Sequence, residues 1–333
     1  MKAFIGIDVS KEKLDVAVLS NGNIIACGEF GNTKSGTNTM RKWAKKQCGR
    51  GTEIIFGCEA SGIYHSICAQ TLFDAKQKVV VINPRFTKHE LEAMGRKNKT
   101  DKVDAEVIAI RLSREIDPLW NPPSESIQLL RDLMLRRDQL VRSITVEKGR
   151  AERYRKDSIA DDSVKRMLKF LEQELAEIER KIETLIKSDE ELDTQTRIGD
   201  TVPGVGPVVA RVFIAAVGDV NDFADADQVQ SYLGICSQQR ISGKSLNRSW
   251  MSKRGNQLLR KTLYMGAMAT ATRSKNSPYR QYYESLIARG KSEKAAIAAV
   301  MRKIVRALYA VLRDGVPFSI ARYAVPPHEL KQC

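Results

Sequence analysis

Three short extended segments within the first thirty-one residues constrain this chain more than any other feature. Phe4 to Val9, Leu14 to Leu19 and Ile24 to Phe30 are apolar and separated by very few residues. The connection Ser20-Asn21-Gly22-Asn23 is a hairpin turn by composition, because Asn and Gly accept the positive φ such turns require. The chain therefore opens as an antiparallel meander. Helical and extended patterns then alternate: a helix over 34–46, a strand over 53–57, a helix over 63–75, a strand over 79–82 ended by Asn83-Pro84, and a helix over 102–114. No GxGxxG follows the first strand, which argues against a dinucleotide site.

A meander followed by alternating helices and strands is the ribonuclease H-like pattern. We expect an α/β ribonuclease H-like domain over 1–117, with a boundary marked by Pro118, Pro122 and Pro123. Two long polar helices, 126–156 and 163–187, form an expected arm over 118–195. Val164, Leu168, Leu171, Leu175, Ile178, Ile182 and Leu185 alternate at spacings of four and three, an a/d seam suited to an antiparallel helical hairpin or an intermolecular coiled coil. The remainder, 196–333, reads as an all-α C-terminal domain with helices near 208–217, 226–233, 256–272, 278–289 and 293–313. Its turn Pro203-Gly204-Val205-Gly206 resembles a helix-hairpin-helix, where the backbone N–H groups at Gly204 and Gly206 would meet a DNA phosphate.

The charge balance narrows the partner. Lys and Arg number 55 against 40 Asp and Glu, a net +15, as expected for a folded protein that meets a polyanion such as nucleic acid. Six cysteines without a CxxC pair, and only three scattered histidines, argue against zinc and against structural disulfides. The N-terminus has no signal-like apolar run, and the most apolar segment, 205–217, is interrupted by Arg211, so a cytoplasmic protein without membrane spans is expected.

Four carboxylates fall where such a domain would gather them. Asp8 closes the first strand and Glu59 follows the strand of Ile54-Ile55-Phe56. Asp101 and Asp104, three apart, share one face of a helix. Four negative charges at one sheet edge repel unless a cation offsets them, and hard oxygen ligands suit Mg²⁺ or Mn²⁺. Such a site fits phosphodiester chemistry. An actin-like ATPase is disfavoured, since Asp8 is followed by Val9-Ser10-Lys11 rather than by a phosphate-cradling glycine hairpin.

A distant segment, Arg240-Ile241-Ser242-Gly243-Lys244-Ser245, is rejected as a P-loop because Gln238 stands where that motif needs glycine. Its setting is nonetheless suited to phosphate. Arg240, Lys244, Arg248, Lys253, Arg254, Arg260 and Lys261 surround Ser242 in sequence, and a hydroxyl there would serve as a nucleophile if a base or metal lowered its proton affinity.

Taken together these residues resemble the insertion-sequence-110 family of transposases, which includes Piv-type invertases and bridge-RNA-guided recombinases. The resemblance spans nearly the whole chain. Gly6-Ile7-Asp8-Val9-Ser10-Lys11-Glu12-Lys13-Leu14-Asp15-Val16, Glu59-Ala60-Ser61-Gly62-Ile63-Tyr64, Val81-Ile82-Asn83-Pro84 and Asn98 through Ala105 carry it in the first half. Pro203-Gly204-Val205-Gly206, Ser242-Gly243, Met251 through Gly255 and Leu258 through Met265 carry it in the second. It implies a resolvase-like domain over 1–117 bearing an Asp-Glu-Asp-Asp tetrad at Asp8, Glu59, Asp101 and Asp104 with Mg²⁺, and a C-terminal transposase domain whose serine, here Ser242, attacks DNA to give a covalent phosphoserine. It further implies a non-coding bridge RNA pairing with donor and target DNA, and a homo-oligomer, a dimer assembling to a tetramer. The reading is a site-specific DNA recombinase of a mobile element. Two alternatives stand beside it: a hydrolytic junction nuclease without covalent intermediate, and a non-catalytic nucleic-acid-binding regulator.

Overall fold

The computed structural model describes the backbone except at residues 94–100, 116–117, 243–245, 254, 275–276 and 324–333. Side chains are described except at those positions and at 85, 88, 93, 101, 102, 239–242, 246–249, 322 and 323. The chain divides into two compact units, Met1–Pro122 and Pro123–Cys333.

The first unit runs β1 (Lys2–Val9), β2 (Lys13–Ser20), β3 (Asn23–Gly31), α1 (Lys34–Cys48), β4 (Glu53–Glu59), α2 (Tyr64–Asp74), β5 (Lys78–Ile82), α3 (Pro84–Ala93) and α4 (Asp101–Arg114). The expected hairpin turn forms, with Asn21 and Gly22 at φ 50° and 79°. The sheet order is β3-β2-β1-β4-β5, with β1, β2 and β3 antiparallel and β4 and β5 parallel to β1. This five-stranded mixed sheet is what the meander and the alternating segments predicted.

Period-two alternation distributes the side chains. Ile5, Ile7 and Val9 join Met40 and Ala44 of α1 and Ala69 and Leu72 of α2 on one face. Phe4, Leu19 and Ile55 meet Ile108, Ala109 and Leu112 of α4 on the other. Each such fully buried aliphatic side chain contributes roughly 1.5–3 kcal/mol of transfer free energy.

Two glycines let α4 lie directly on the strands. A Cβ on Gly6 would stand 2.0 Å from the Ala105 carbonyl oxygen and 2.5 Å from the Ala109 nitrogen. One on its cross-strand partner Gly57 would stand 2.4 Å from Leu112 Cδ1. Helix and strand backbones thus touch where β-carbons would hold them apart.

Pro84, read in the sequence as the end of a strand, also opens α3, a role proline fills well because a first-turn N–H has no helical partner. Arg111 of α4 lies over the Phe86 ring of α3 at 5.3 Å, and Arg114 pairs with Glu90, so α3 is held against α4.

The second unit begins with α5 (Glu125–Ala151) and α6 (Ile159–Ser188), capped by the Ser124 and Ser158 hydroxyls. They pack as an antiparallel pair, with Arg137–Glu179 and Lys148–Glu172 ion pairs between them at 2.8 and 3.4 Å. On α6, seam residues Val164 and Ile182 are buried and the other five are partly buried. At its base the pair enters a larger core: Leu130, Met134, Ile182 and Ile186 cluster with Phe213 and Leu308.

The rest of that core is built by α7 (Glu190–Asp200), α8 (Pro207–Val217), α9 (Ala226–Leu233), α10 (Gln257–Thr272), α11 (Pro278–Ala288) and α12 (Glu293–Asp314), followed by the short α13 (Ile320–Tyr323). The all-α expectation needs correction here. Between α9 and α10 stand β6 (Ser237–Ser242) and β7 (Leu246–Met251), paired antiparallel from Ser237↔Met251 to Ser242↔Leu246. Ser-Gln-Gln-Arg-Ile-Ser has none of the apolar alternation that marks a strand, so backbone pairing forms this ribbon without a sequence signal. Its base is fixed by Ser252 N–H to the Cys236 carbonyl at 3.0 Å and Lys253 N–H to the Gly234 carbonyl at 2.9 Å. Among the described residues no helix is long and apolar enough to cross a membrane.

Candidate functional site

Asp8 and Glu59 sit at matching positions on adjacent parallel strands. The β1–β4 register pairs Gly6 with Gly57 and Ile7 with Cys58, so Asp8 and Glu59 come one step later, at the ends of their strands. By alternation both lie on the Gly6–Gly57 face, the face that α4 covers. Asp104 belongs to the first turn of α4, one residue before Ala105, whose carbonyl oxygen closes on Gly6. The two glycines therefore bring Asp104 toward the strand end that carries Asp8. Asp101 is the first residue of α4, but its side chain lies outside the described residues.

Loop contacts brace these strand ends. Ser10 Oγ donates to the Lys13 carbonyl at 3.0 Å and accepts from the Lys13 N–H at 3.1 Å. Asn32 Nδ2 donates to the Ser10 carbonyl at 2.8 Å and to the Tyr64 carbonyl at 3.1 Å, joining the turn after β1 to the first residue of α2. Cys58, beside Glu59, faces the opposite core. Burial first, then neighbouring Cys68 and Glu59, push its thiol well above the ordinary range, so it stays a neutral hydrophobe.

One contributor was missed in the sequence. The buried Thr87 on α3 donates its hydroxyl to Glu59 Oε2 at 2.5 Å, with the Pro84 carbonyl as an alternative acceptor at 2.8 Å. The signal was partial: a proline that opens a helix places Thr87 in the first turn after β5, whose Ile82 is the register partner of Glu59. Thr87→Val keeps the shape and removes the donor. It is expected to slow DNA cleavage roughly tenfold and to lower stability by about 1.5 kcal/mol, as for one lost bond to a charged acceptor. Equal rates measured for the two proteins would exclude this role.

The donor chemistry fits a hard divalent cation, since every member of the tetrad offers carboxylate oxygen. Among the described residues no three His, Cys, Asp or Glu side chains already close into a metal cage, and the Asp101 carboxylate is not among those residues.

The basic positions in the second unit separate by what they touch. Lys261 donates to the buried Asp138 at 2.9 Å, and Arg142 pairs with the same carboxylate at 2.6 Å, so Lys261 fastens α10 to α5. Arg260 donates to the Leu233 carbonyl at 3.3 Å, and its partial burial lowers its pKa. Lys253 adopts a left-handed backbone, φ 55°, at the foot of the ribbon. Ser242 ends β6, and Arg240 and Arg248 are register partners; the side chains of all three lie outside the described residues, as do Lys244 and Arg254 entirely. Gly204 has a packing reason of its own: at φ 80°, it would drive a Cβ to 2.7 Å from Thr270 Cγ2 of α10. Gly206 is exposed at the start of α8.

Residues 5–154 match a family described as a transposase of the DEDD, IS110 type. Residues 197–284 match a second, described as Transposase IS116/IS110/IS902 family. The chain belongs to the IS110 family of transposases. It is an enzyme of DNA recombination. The pilin gene-inverting protein of Moraxella bovis is similar to this transposase, 27% identical over 321 residues that cover 95% of this chain and 98% of that protein. The transposase for insertion sequence element IS1111A of Coxiella burnetii is 27% identical over 248 residues, 66% of this chain and 67% of the relative. Thermus thermophilus RuvC, solved in complex with a Holliday junction substrate, aligns with 34% of this transposase and 96% of its own chain at 15% identity. The TM-score of 0.27 is too low to bear on the fold.

Proposed function

We propose that this transposase cuts and rejoins DNA at specific sites through a covalent phosphoserine, with Asp8, Glu59, Asp101 and Asp104 as metal ligands and Ser242 as nucleophile. The observation that carries the reading is the placement of Asp8 and Glu59 side by side at parallel strand ends, beneath the helix that begins with Asp101 and Asp104. Carboxylates so placed repel one another, and a divalent cation offsets that repulsion. A divalent ion held there, Mg²⁺ or Mn²⁺, would supply Lewis-acid stabilisation to a phosphate in its transition state.

The residues of the chain do the rest. Glu59 is oriented by Thr87, and the Asn32 amide joins the turn after β1 to the first residue of α2. Ser242 Oγ attacks phosphorus, the bond from phosphorus to the 3′-oxygen breaks, and the serine proton ends on that oxygen. The phosphoester to serine conserves the bond for rejoining, whereas hydrolysis would lose it to water. Donor and target DNA are the substrates; a bridge RNA supplies base specificity by pairing, and the working form is a homo-oligomer, a dimer assembling to a tetramer.

The test is a denaturing gel of the protein incubated with its end-containing DNA and Mg²⁺. Protein bound covalently to a DNA end, absent when EDTA removes the ion, is the expected result. Nicked DNA with no adduct at any time would replace this reading by metal-dependent hydrolysis.

A further inference from the structure

The row of acids does not stop at the tetrad. In the β1–β2 register Asp8 is paired with Asp15, and in the β2–β3 register Asp15 is paired with Glu29. Cross-strand partners share a face, so Glu29, Asp15, Asp8 and Glu59 form one line of carboxylates across four neighbouring strands on the side covered by α4. Asp15 is 4% exposed. Like charges directly opposite one another on paired strands are destabilising, and here the conflict extends over four of them.

The chain carries a cation at the outer half of this line. Lys13, two residues before Asp15 on the same strand face, places Nζ 2.9 Å from Asp15 Oδ2 and 3.6 Å from Glu29 Oε2. Its backbone is pinned by the bonds with Ser10, and its side chain borders an open cleft of about 640 Å³ lined also by Lys11, Glu12 and Glu29. We propose that Lys13 is a positioning residue of the metal site: its ammonium serves as the resident counter-ion of Asp15 and Glu29, so that the bound metal answers to the tetrad alone. This rests on the metal role proposed above for Asp8.

Substitutions at Lys13 and Asp15 then change metal affinity in opposite directions, which a merely structural ion pair does not produce. Removing the cation leaves Asp15 uncompensated beside Asp8 and strengthens the field that attracts a metal. Removing the carboxylate leaves a cation there and weakens it. Free Mn²⁺, titrated into the full-length protein and followed by electron paramagnetic resonance, reports the affinity without requiring turnover. Lys13→Met is expected to bind Mn²⁺ roughly fivefold more tightly, and Asp15→Asn roughly fivefold more weakly, a size set by the partial solvent exposure of Lys13. The double variant and Lys13→Arg are expected to fall within about twofold of the parent. If Lys13→Met does not fold, the weaker binding of Asp15→Asn and the parental binding of Lys13→Arg carry the test. Asp8→Asn separates the two levels of the argument. If it binds Mn²⁺ as the parent does, the metal assignment fails and this inference with it. If it loses Mn²⁺ while Lys13→Met and Asp15→Asn both match the parent, or both shift the same way, only the role of Lys13 is overturned.

Discussion

Ser242→Ala is expected to bind DNA like the parent and to form no covalent adduct, with strand cleavage falling more than about a thousandfold. The variant removes the proposed nucleophilic oxygen and leaves the backbone of β6 free to pair with β7 as before. An alternative nucleophile would have to be water, and water yields nicked DNA that cannot be rejoined without a new source of bond energy. The adduct gel distinguishes these outcomes directly, and a filter-binding assay checks that affinity is retained. An adduct of parental yield in Ser242→Ala would transfer the nucleophile to another residue. Nicking at the parental rate with no adduct in either protein would establish the hydrolytic nuclease instead.

Gly6→Ala is expected to destabilise the protein by about 3 kcal/mol or more, because one methyl group meets backbone rather than yielding side chains. The added carbon would lie 2.0 Å from the Ala105 carbonyl oxygen and 2.5 Å from the Ala109 nitrogen, so α4 must lift from β1 as a body. Since Asp104 is on the first turn of that helix, cleavage activity is expected to fall along with stability. Urea unfolding measures the first effect. Gly149→Ala, at a helical position with open space around it, provides the control and is expected to raise stability by about 0.5–1 kcal/mol. An unchanged urea midpoint for Gly6→Ala would show that α4 does not bear on the strand as described.

Much of the first unit was legible because its elements have clear periods and clear stops. The Asn21-Gly22 turn, the apolar strands and Asp8 and Glu59 at strand ends follow from alternation and turn chemistry over a few residues. Thr87 and Asp15 were not legible as parts of the site. Pro84 marks the helix start, but no local signal names the partner of Thr87, which is 28 residues away. Asp15 stands beside Asp8 only through the register of the hairpin, and a slip of one residue would send it to the opposite face.

In the second unit the a/d seam announced a pair of long helices, and their packing bears it out at the level of an antiparallel hairpin. The β6–β7 ribbon was not expected, because Ser-Gln-Gln-Arg-Ile-Ser lacks the apolar alternation of a strand. Gly204 looked like a phosphate-binding turn residue, and its packing against Thr270 of α10 shows a structural demand that no local motif contains. Lys261 is one more basic residue in the sequence, and in the fold Asp138, 123 positions away, holds it.

Residue order alone determined the class of sheet, the long helices, the excess of positive charge and the acids that end strands, since each depends on neighbours within a turn or two of chain. Only the tertiary structure decided which acids stand in one row, which hydroxyl orients Glu59, and which cations are committed to carboxylates of the protein itself. The reason is physical: strand register and the depth to which α4 settles on Gly6 and Gly57 are fixed by packing between distant segments, and a carboxylate's chemistry is set by the charges that packing brings beside it.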